Sequence, residues 1–407
     1  MLYREMGKTG DKLSILGYGC MRFPKKDRKI DESRTERQII SAIEQGVNYF
    51  DTAYVYKGSE TVLGKILAKG YRNKVKLATK LPLFMVHSRK GMEAILDTQL
   101  QRLQTDHIDY YLMHCLNSKE GWQRLKAIGV EEFLFKAKQA GKINHIGFSY
   151  HGDSGQFKAV VDDYPWEFCQ IQYNYMDENT QAGLEGLKYA GAKGLGVVIM
   201  EPLRGGLLAG KMPPQIQAVW DQAEIKRAPA EWALRWIWNH PEVTVVLSGM
   251  NEEAHIEENI RIAGDSYAQS LSASELDSIA MVKELLTGML RVGCTACGYC
   301  LPCPAGVNIP LCFAYYNTKH LFGSRSPQVQ YIGMLGGMDG GTPAYSSLCR
   351  QCGQCEKHCP QHLPIRRHLK EVAKDMERFY FKPAVSLVQR YYKLRQGLAP
   401  GKNKKEL

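Results

Sequence analysis

The chain has 407 residues, 44% of them hydrophobic and 23% charged, with a formal net charge of +11. That length exceeds one ordinary core and favours a large domain with an appended module. No apolar run approaches the roughly 20 residues of a membrane span, and residues 1–8 lack the apolar centre of a signal peptide, so the expectation is a cytoplasmic protein without a membrane span. Twelve cysteines in a reducing compartment point to metal or redox chemistry in place of structural disulfides. The positive charge is concentrated at the end, where 366–407 holds twelve Lys and Arg against four Asp and Glu, a net of +8. A solvated helix accounts for such a tail, and so does docking of an acidic electron carrier (ferredoxin or flavodoxin) or of an anionic membrane surface. No base-reading motif accompanies it, so no nucleic acid is expected.

In chain order, short apolar runs alternate with amphipathic helical segments. The strand candidates are 14–19, 47–51, 75–80, 108–114, 145–149, 168–173, 197–201 and 243–248, and helical spacing follows them at 36–45, 92–103, 131–140, 156–161, 184–190, 230–238 and 252–262. Eight strand–helix units predict an α/β fold of the (β/α)8 TIM type, with its site at the C-terminal strand ends. A doubly wound sheet is the alternative, but the glycines at Gly17 and Gly19 are not followed by a helix start.

If the barrel is right, its polar strand ends converge. Phe50-Asp51-Thr52-Ala53 ends an apolar run with a carboxylate and leads to Tyr56, and helical spacing resumes at Ser59. Lys80 precedes Pro82, and His114 closes Leu112-Met113-His114. A phenol has a pKa of about 10 and needs a nearby cation to donate a proton near neutrality. Lys80 paired to Asp51 is expected to supply that cation and lower the Tyr56 pKa, leaving His114 to orient or polarise a substrate oxygen.

These four residues, in type, order and strand position, resemble the catalytic four of the aldo-keto reductases over about residues 1–285. The resemblance implies a nicotinamide cofactor, NADP or NAD, across the barrel mouth, hydride transfer between it and a carbonyl or alcohol substrate, and protonation of the carbonyl oxygen by Tyr56. It also implies cofactor contacts at Gly19, Met21, Ser149, Gln170, Met200, Pro202, Leu203, Ser248, Gly249, Met250, His255, Glu258 and Asn259. The sequence departs from the family in three ways: Tyr150 replaces a usual asparagine, Met200 stands where many members stack an aromatic ring, and Gly249 and His255 replace the usual 2'-phosphate cations.

Beyond the barrel, a helical stretch at 273–290 leads to Cys294, Cys297, Cys300 and Cys303 at x2 spacing before Pro304, then Cys349, Cys352, Cys355 and Cys359 before Pro360. Three thiolates at x2 spacing hold three corners of a cubane, and the closing Cys-Pro matches the ferredoxin run. Paired zinc sites are the rival reading. By the ferredoxin crossover rule, one 4Fe-4S cluster takes Cys294, Cys297, Cys300 and Cys359, and the other takes Cys349, Cys352, Cys355 and Cys303. The remaining cysteines, Cys20, Cys115, Cys169 and Cys312, lie in apolar settings and read as packing. The glycine-rich 333–341 reads as a connector.

The whole chain resembles the aldo-keto reductase subgroup with a C-terminal two-cluster ferredoxin-type domain. The expected division is a barrel over 1–285, the cluster domain over 286–380 and a basic helical tail over 381–407. Nicotinamide gives up two electrons together whereas a cubane carries one, and no motif marks the flavin that would split the pair. Clusters that are structural or exchange electrons with an outside carrier, a flavin-assisted reductase, and a redox-sensing binding protein all remain open at this point.

Overall fold

Strands buried on both faces read as continuous apolar runs, and such runs close into a barrel when helices cover the outside. The computed structural model describes residues 1–387 and 389, apart from 28, 297, 324, 338–341 and 360. Its chain divides into two units, Met1–Lys283 and Glu284–Leu407.

In the first unit the strands are β1 (Leu16–Gly19), β2 (Tyr49–Asp51), β3 (Lys76–Pro82), β4 (Ile108–His114), β5 (Ile143–Tyr150), β6 (Phe168–Gln172), β7 (Gly196–Met200) and β8 (Val245–Ser248). They form one closed parallel barrel in the order β6-β7-β8-β1-β2-β3-β4-β5, as expected. Around it lie α1 (Glu32–Glu44), α2 (Ser59–Leu67), α3 (Arg89–Leu103), α4 (Lys119–Ala127), α5 (Val130–Gln139), α6 (Ser154–Asp162), α7 (Gly183–Ala192), α8 (Pro214–Gln222), α9 (Pro229–Trp238) and α10 (Glu253–Ala263), followed by α11 (Ala273–Gly288). Asp31 begins α1 ahead of its apolar stripe by accepting the Arg34 amide at 3.0 Å.

Two features separate the working end of the barrel from the closed end. Antiparallel Tyr3–Glu5 and Lys12–Ser14 precede β1 and put Met6 into the barrel interior with Leu13, Tyr49, Tyr110, Leu112, Phe168 and Val198. A Cβ on Gly196, the first residue of β7, would lie 2.4 Å from the Met6 sulfur, so this end is plugged. At the other end the register pairs Gly19 with Asp51, Pro82 with His114 and Gln170 with Ser149, which sets polar strand ends side by side.

Some strand ends differ from expectation. β3 runs two residues past Lys80, so the lysine lies within the strand and faces the interior as Ala78 does. β7 stops at Met200, because Glu201 takes a left-handed φ of 55° that turns the chain out of the sheet.

The second unit is helical, with α12 (Ile309–Phe322), α13 (Ser326–Leu335), α14 (Gln354–Lys357) and α15 (Ile365–Met376). Its core joins Val307, Phe313, Tyr331, Ile365, Leu369, Val372, Met376 and Phe381. The expected connector at 333–341 is helical through Leu335, and 338–341 lies outside the described residues. Of the expected tail, 381–387 is helical, and 390–407 is likewise outside the described residues. No helix among the described residues is long and apolar enough to cross a membrane.

Beside the site, α2 and α3 approach closely at Gly64, where a Cβ would lie 2.4 Å from the Arg102 carbonyl oxygen and 2.6 Å from Leu103 backbone atoms. Gly64→Ala therefore forces α2 and α3 apart and is expected to cost about 2 kcal/mol, the range of overpacked cores. An unchanged denaturant midpoint would contradict this close approach.

Candidate active site and cluster sites

Asp51, Tyr56, Lys80 and His114 come together because β2, β3 and β4 are consecutive in the barrel. The Lys80 Nζ donates to Asp51 Oδ1 at 2.5 Å and to the Thr52 carbonyl at 2.8 Å, and both side chains are almost fully buried. Tyr56 lies in the loop between β2 and α2. That loop is pinned by Thr52 Oγ1 to Ser59 Oγ at 2.8 Å and by Ser59 Oγ donating to the Cys20 carbonyl at 2.8 Å. The Lys80 ammonium is 5.3 Å from the Tyr56 ring centre, and the His114 ring meets the Tyr56 ring edge-on with centres 6.2 Å apart.

The electrostatics differ from the sequence expectation in one respect. Burial pushes the Tyr56 phenol well above its usual range, and the charge of Asp51 adds to the push, as do Cys115, Glu201 and Cys20. The lowering expected from Lys80, whose ammonium is held by Asp51 and the Thr52 carbonyl, does not outweigh burial and the Asp51 charge. Burial also raises Asp51, against the opposing pull of Lys80. His114 is held well below the usual imidazole range by burial, then by Lys80 and by His151. The site therefore pairs a protonated phenol with a neutral imidazole at neutral pH.

A network around Glu60, which sequence reasoning missed, carries the lysine. Glu60 is buried; its Oε1 accepts from Thr79 Oγ1 at 2.7 Å and Gln99 Nε2 at 3.0 Å, and its Oε2 accepts from Arg102 Nη1 at 3.0 Å. Gln99 Nε2 also donates to the Lys80 carbonyl at 3.0 Å, which ties α2 and α3 to the strand that bears Lys80. The readable signal was a glutamate on the apolar face of α2. His151 and the half-buried Cys115 at the mouth were likewise not singled out as site residues.

On the other side of the mouth, β5, β6 and β7 bring Ser149, Gln170 and Met200 together. Ser149 Oγ accepts from the Cys115 amide at 2.9 Å, and Gln170 Nε2 donates to the Met200 sulfur at 3.5 Å. Gln170 Oε1 is buried and has no partner among the described residues. Pro202 and Leu203 follow on a loop whose Leu203 carbonyl accepts from the Gly206 and Leu208 amides at 2.9 and 3.1 Å. Arg22 bridges to this loop by donating to the Gly205 carbonyl at 2.9 Å. A Cβ on Gly249 would lie 3.6 Å from the Arg22 side chain.

Asn259 Nδ2 donates to Ser248 Oγ at 3.0 Å, and the buried Met250 accepts from the Tyr18 hydroxyl at 2.8 Å. Gly19 closes β1, Met21 and His255 are exposed and Glu258 is half-buried. Arg34, also unforeseen, bridges Glu252 and Glu253 at the start of α10, at 2.5 Å each.

In the second unit Cys294, Cys300 and Cys359 line one pocket with Gly298, Ile309 and Phe313. Cys297 lies outside the described residues. Cys303, Cys349 and Cys355 pack against the helical core, and the Cys355 thiol is pushed up by burial and then by the charges of Glu356, Cys349 and Cys303. Cys352 is exposed. The two cysteine loops share a backbone pattern: φ is left-handed at the second and fourth residues after the first cysteine, 57° and 78° at Ala296 and Gly298, 59° and 76° at Gln351 and Gly353. Such turns aim amides inward, and the Gln351 amide donates to Cys349 Sγ at 3.4 Å. Cys20, Cys169 and Cys312 are buried, as packing residues are.

Residues 15–283 match the Aldo/keto reductase family, and residues 293–363 match the 4Fe-4S dicluster domain. The uncharacterized oxidoreductase YrpG of Bacillus subtilis is 32% identical over 233 residues, covering 52% of this chain and 69% of that protein. The L-galactose dehydrogenase of Arabidopsis thaliana is 28% identical over 313 residues, covering 70% of this chain and 92% of that protein. Among solved structures, the apo form of the aldo-keto reductase AKR11C1 from Bacillus halodurans aligns with a TM-score of 0.57 at 25% identity over 69% of this chain and 96% of its own.

Lys80→Met leaves the buried Asp51 carboxylate unpaired and is expected to lower stability by about 3–5 kcal/mol, whereas replacing both partners by apolar residues is expected to recover most of that loss. Chemical denaturation of the single and double variants checks this, and additive losses would show that the two charges do not act as a pair.

Proposed function

The chain belongs to the aldo/keto reductase family, and from that premise we propose that its barrel is a nicotinamide-dependent oxidoreductase acting on a small carbonyl or alcohol. Tyr56 donates the proton at its hydroxyl oxygen to the substrate oxygen, and neutral His114 orients and polarises that oxygen through a ring nitrogen. Lys80 and Asp51 hold the loop and strand on which Tyr56 depends. The observation that carries this reading is the meeting of the Lys80–Asp51 pair, the Tyr56 ring and the His114 ring at one set of strand ends.

The residues on the opposite side of the mouth fit a nicotinamide. The unpartnered Gln170 Oε1 suits a carboxamide NH2, Ser149 can hold the other end of the amide, and the Met200 thioether can pack on the ring. When bound, that cofactor supplies or accepts the hydride. In the second unit we assign one 4Fe-4S centre to Cys294, Cys297, Cys300 and Cys359 and the other to Cys303, Cys349, Cys352 and Cys355. The support is the grouping of Cys359 with Cys294 and Cys300 around one pocket and of Cys303 with Cys349 and Cys355. Reduced thiols of this kind fit a cytoplasmic setting. These centres supply one-electron exchange with an outside carrier or structural support, and nicotinamide-driven turnover does not pass through them.

Tyr56→Phe is expected to lower kcat/KM for carbonyl reduction by about 10²- to 10⁴-fold, the usual worth of a general acid, with nucleotide affinity nearly intact. Near-normal turnover in that variant rules the phenol out as the acid. Reduction needs the protonated phenol, so activity falls as pH rises through the Tyr56 pKa. Asp51→Asn removes the anion that raises this pKa and frees Lys80, so the alkaline limb should move to lower pH; a limb that stays put contradicts the assignment.

Anaerobically purified protein should hold about eight irons. Cys359→Ala should lower that content and alter the centre completed by Cys294, Cys297 and Cys300, while nicotinamide-driven carbonyl reduction persists. Iron and sulfide analysis with paramagnetic resonance of the reduced protein reads the first outcome. Loss of turnover with the barrel still folded would make the clusters part of catalysis.

A further inference from the structure

The exposed side of α15 carries a row of cations that the proposed chemistry does not use. Ile365, Leu369, Val372 and Met376 bury one face of the helix in the core of its own unit. Arg366, Lys370 and Lys374, spaced by four residues, stand exposed on another face, and that spacing lines up side chains along one side of a helix over about 12 Å. Arg378 continues the series beyond the helix end.

Among the described residues, the acids nearby neutralise Arg366 of this row and leave the rest unpaired. Asp375 is taken by Lys319 and His320, each at 2.8 Å. Glu371 is taken by Arg367 at 3.1 Å and His368 at 3.0 Å, and Glu356 by Arg366 at 2.8 Å. Lys370, Lys374 and Arg378 pair with no carboxylate among the described residues.

One end of the row touches a cysteine loop. The Arg366 guanidinium lies over Gly353, where a Cβ would be 3.5 Å from its carbon, and Gly353 follows Cys352, the exposed member of its four. The other end carries two exposed aromatics, Phe379 at 92% and Tyr380 at 39% exposure. Exposed rings beside cations are the composition of a protein-recognition patch. A lipid surface fits less well, because the apolar face of this amphipathic helix is spent on its own core and cannot enter a bilayer.

We propose that the α15 row Arg366, Lys370 and Lys374, with Phe379 and Tyr380, docks an acidic one-electron carrier protein of the ferredoxin or flavodoxin kind, and that electrons pass at the Cys352 side of the domain. This rests on the assignment of a 4Fe-4S centre to Cys303, Cys349, Cys352 and Cys355. Each encounter is a one-electron exchange in which the carrier is oxidised as that centre is reduced, or the reverse, with no bond made or broken. Cys352 is exposed, whereas Cys294, Cys300 and Cys359 around the other pocket are half-buried.

The test uses full-length holoprotein and a reduced plant-type 2Fe-2S ferredoxin, a strongly acidic carrier, mixed anaerobically while cluster bleaching is followed. Iron content and dithionite-reduced spectra are recorded first, and their failure would remove the cluster assignment itself. With clusters present, the rate from ferredoxin should fall as salt rises, and Lys370→Glu/Lys374→Glu should slow it by about tenfold or more at low ionic strength. Affinity for the oxidised ferredoxin, measured by calorimetry, should weaken in parallel, while reduction by dithionite and nicotinamide-driven turnover stay unchanged. Equal ferredoxin rates and affinities in both proteins overturn the surface. No exchange with ferredoxin in the unaltered protein overturns docking while leaving the clusters in place. Binding to anionic phosphatidylserine vesicles that is lost in the variant, with the ferredoxin rate unaffected, assigns the row to a membrane instead.

Discussion

The buried contact between Lys80 and Asp51 is the constraint on which the barrel site depends. Two full charges removed from water are tolerated only when each satisfies the other, and here the ammonium reaches Asp51 at 2.5 Å and the Thr52 carbonyl at 2.8 Å. That requirement fixes the end of β2 against β3 and sets the start of the loop that carries Tyr56. It also decides the electrostatics of the phenol. At Tyr56 burial and the Asp51 charge outweigh the pull of Lys80 and keep the phenol protonated at neutral pH.

The supports of that contact lie outside the reacting groups. Glu60 receives three donors from β3 and α3, and Gln99 returns a bond to the Lys80 carbonyl. A buried carboxylate satisfied from three sides is a rigid joint, since losing any donor exposes an unmet charge in a low-dielectric interior. The close approach of α2 and α3 at Gly64 belongs to the same arrangement.

The second unit solves a different problem with similar economy. Fewer than a hundred residues carry eight cysteines, and on the proposed assignment each motif would close the other's site. The two cysteine loops share left-handed residues at matching positions, and in one of them the Gln351 amide donates to Cys349 Sγ. The helices α12, α13 and α15 pack their apolar faces together, which leaves the polar side of α15 and its row of cations facing solvent.

Much of this was legible in the chain itself. Alternating apolar runs and helical spacing determined the eight-stranded barrel, because burial on both faces of a strand and one face of a helix is a local pattern that needs no knowledge of partners. The residues Asp51, Tyr56, Lys80 and His114 could be named because each lies at or just beside the end of an apolar strand run, and the cysteine spacing could be read because reach along a short loop is set by covalent geometry. Only the tertiary structure decided how these groups act on one another. That burial and Asp51 outweigh Lys80 at Tyr56, that Glu60 and Gln99 hold the strand of Lys80, that Arg22 reaches the Gly205 carbonyl and that Asp375 is taken by Lys319 and His320 all depend on distances between residues far apart in the chain. Charge interactions vary with separation and burial, and neither quantity is written in the order of residues.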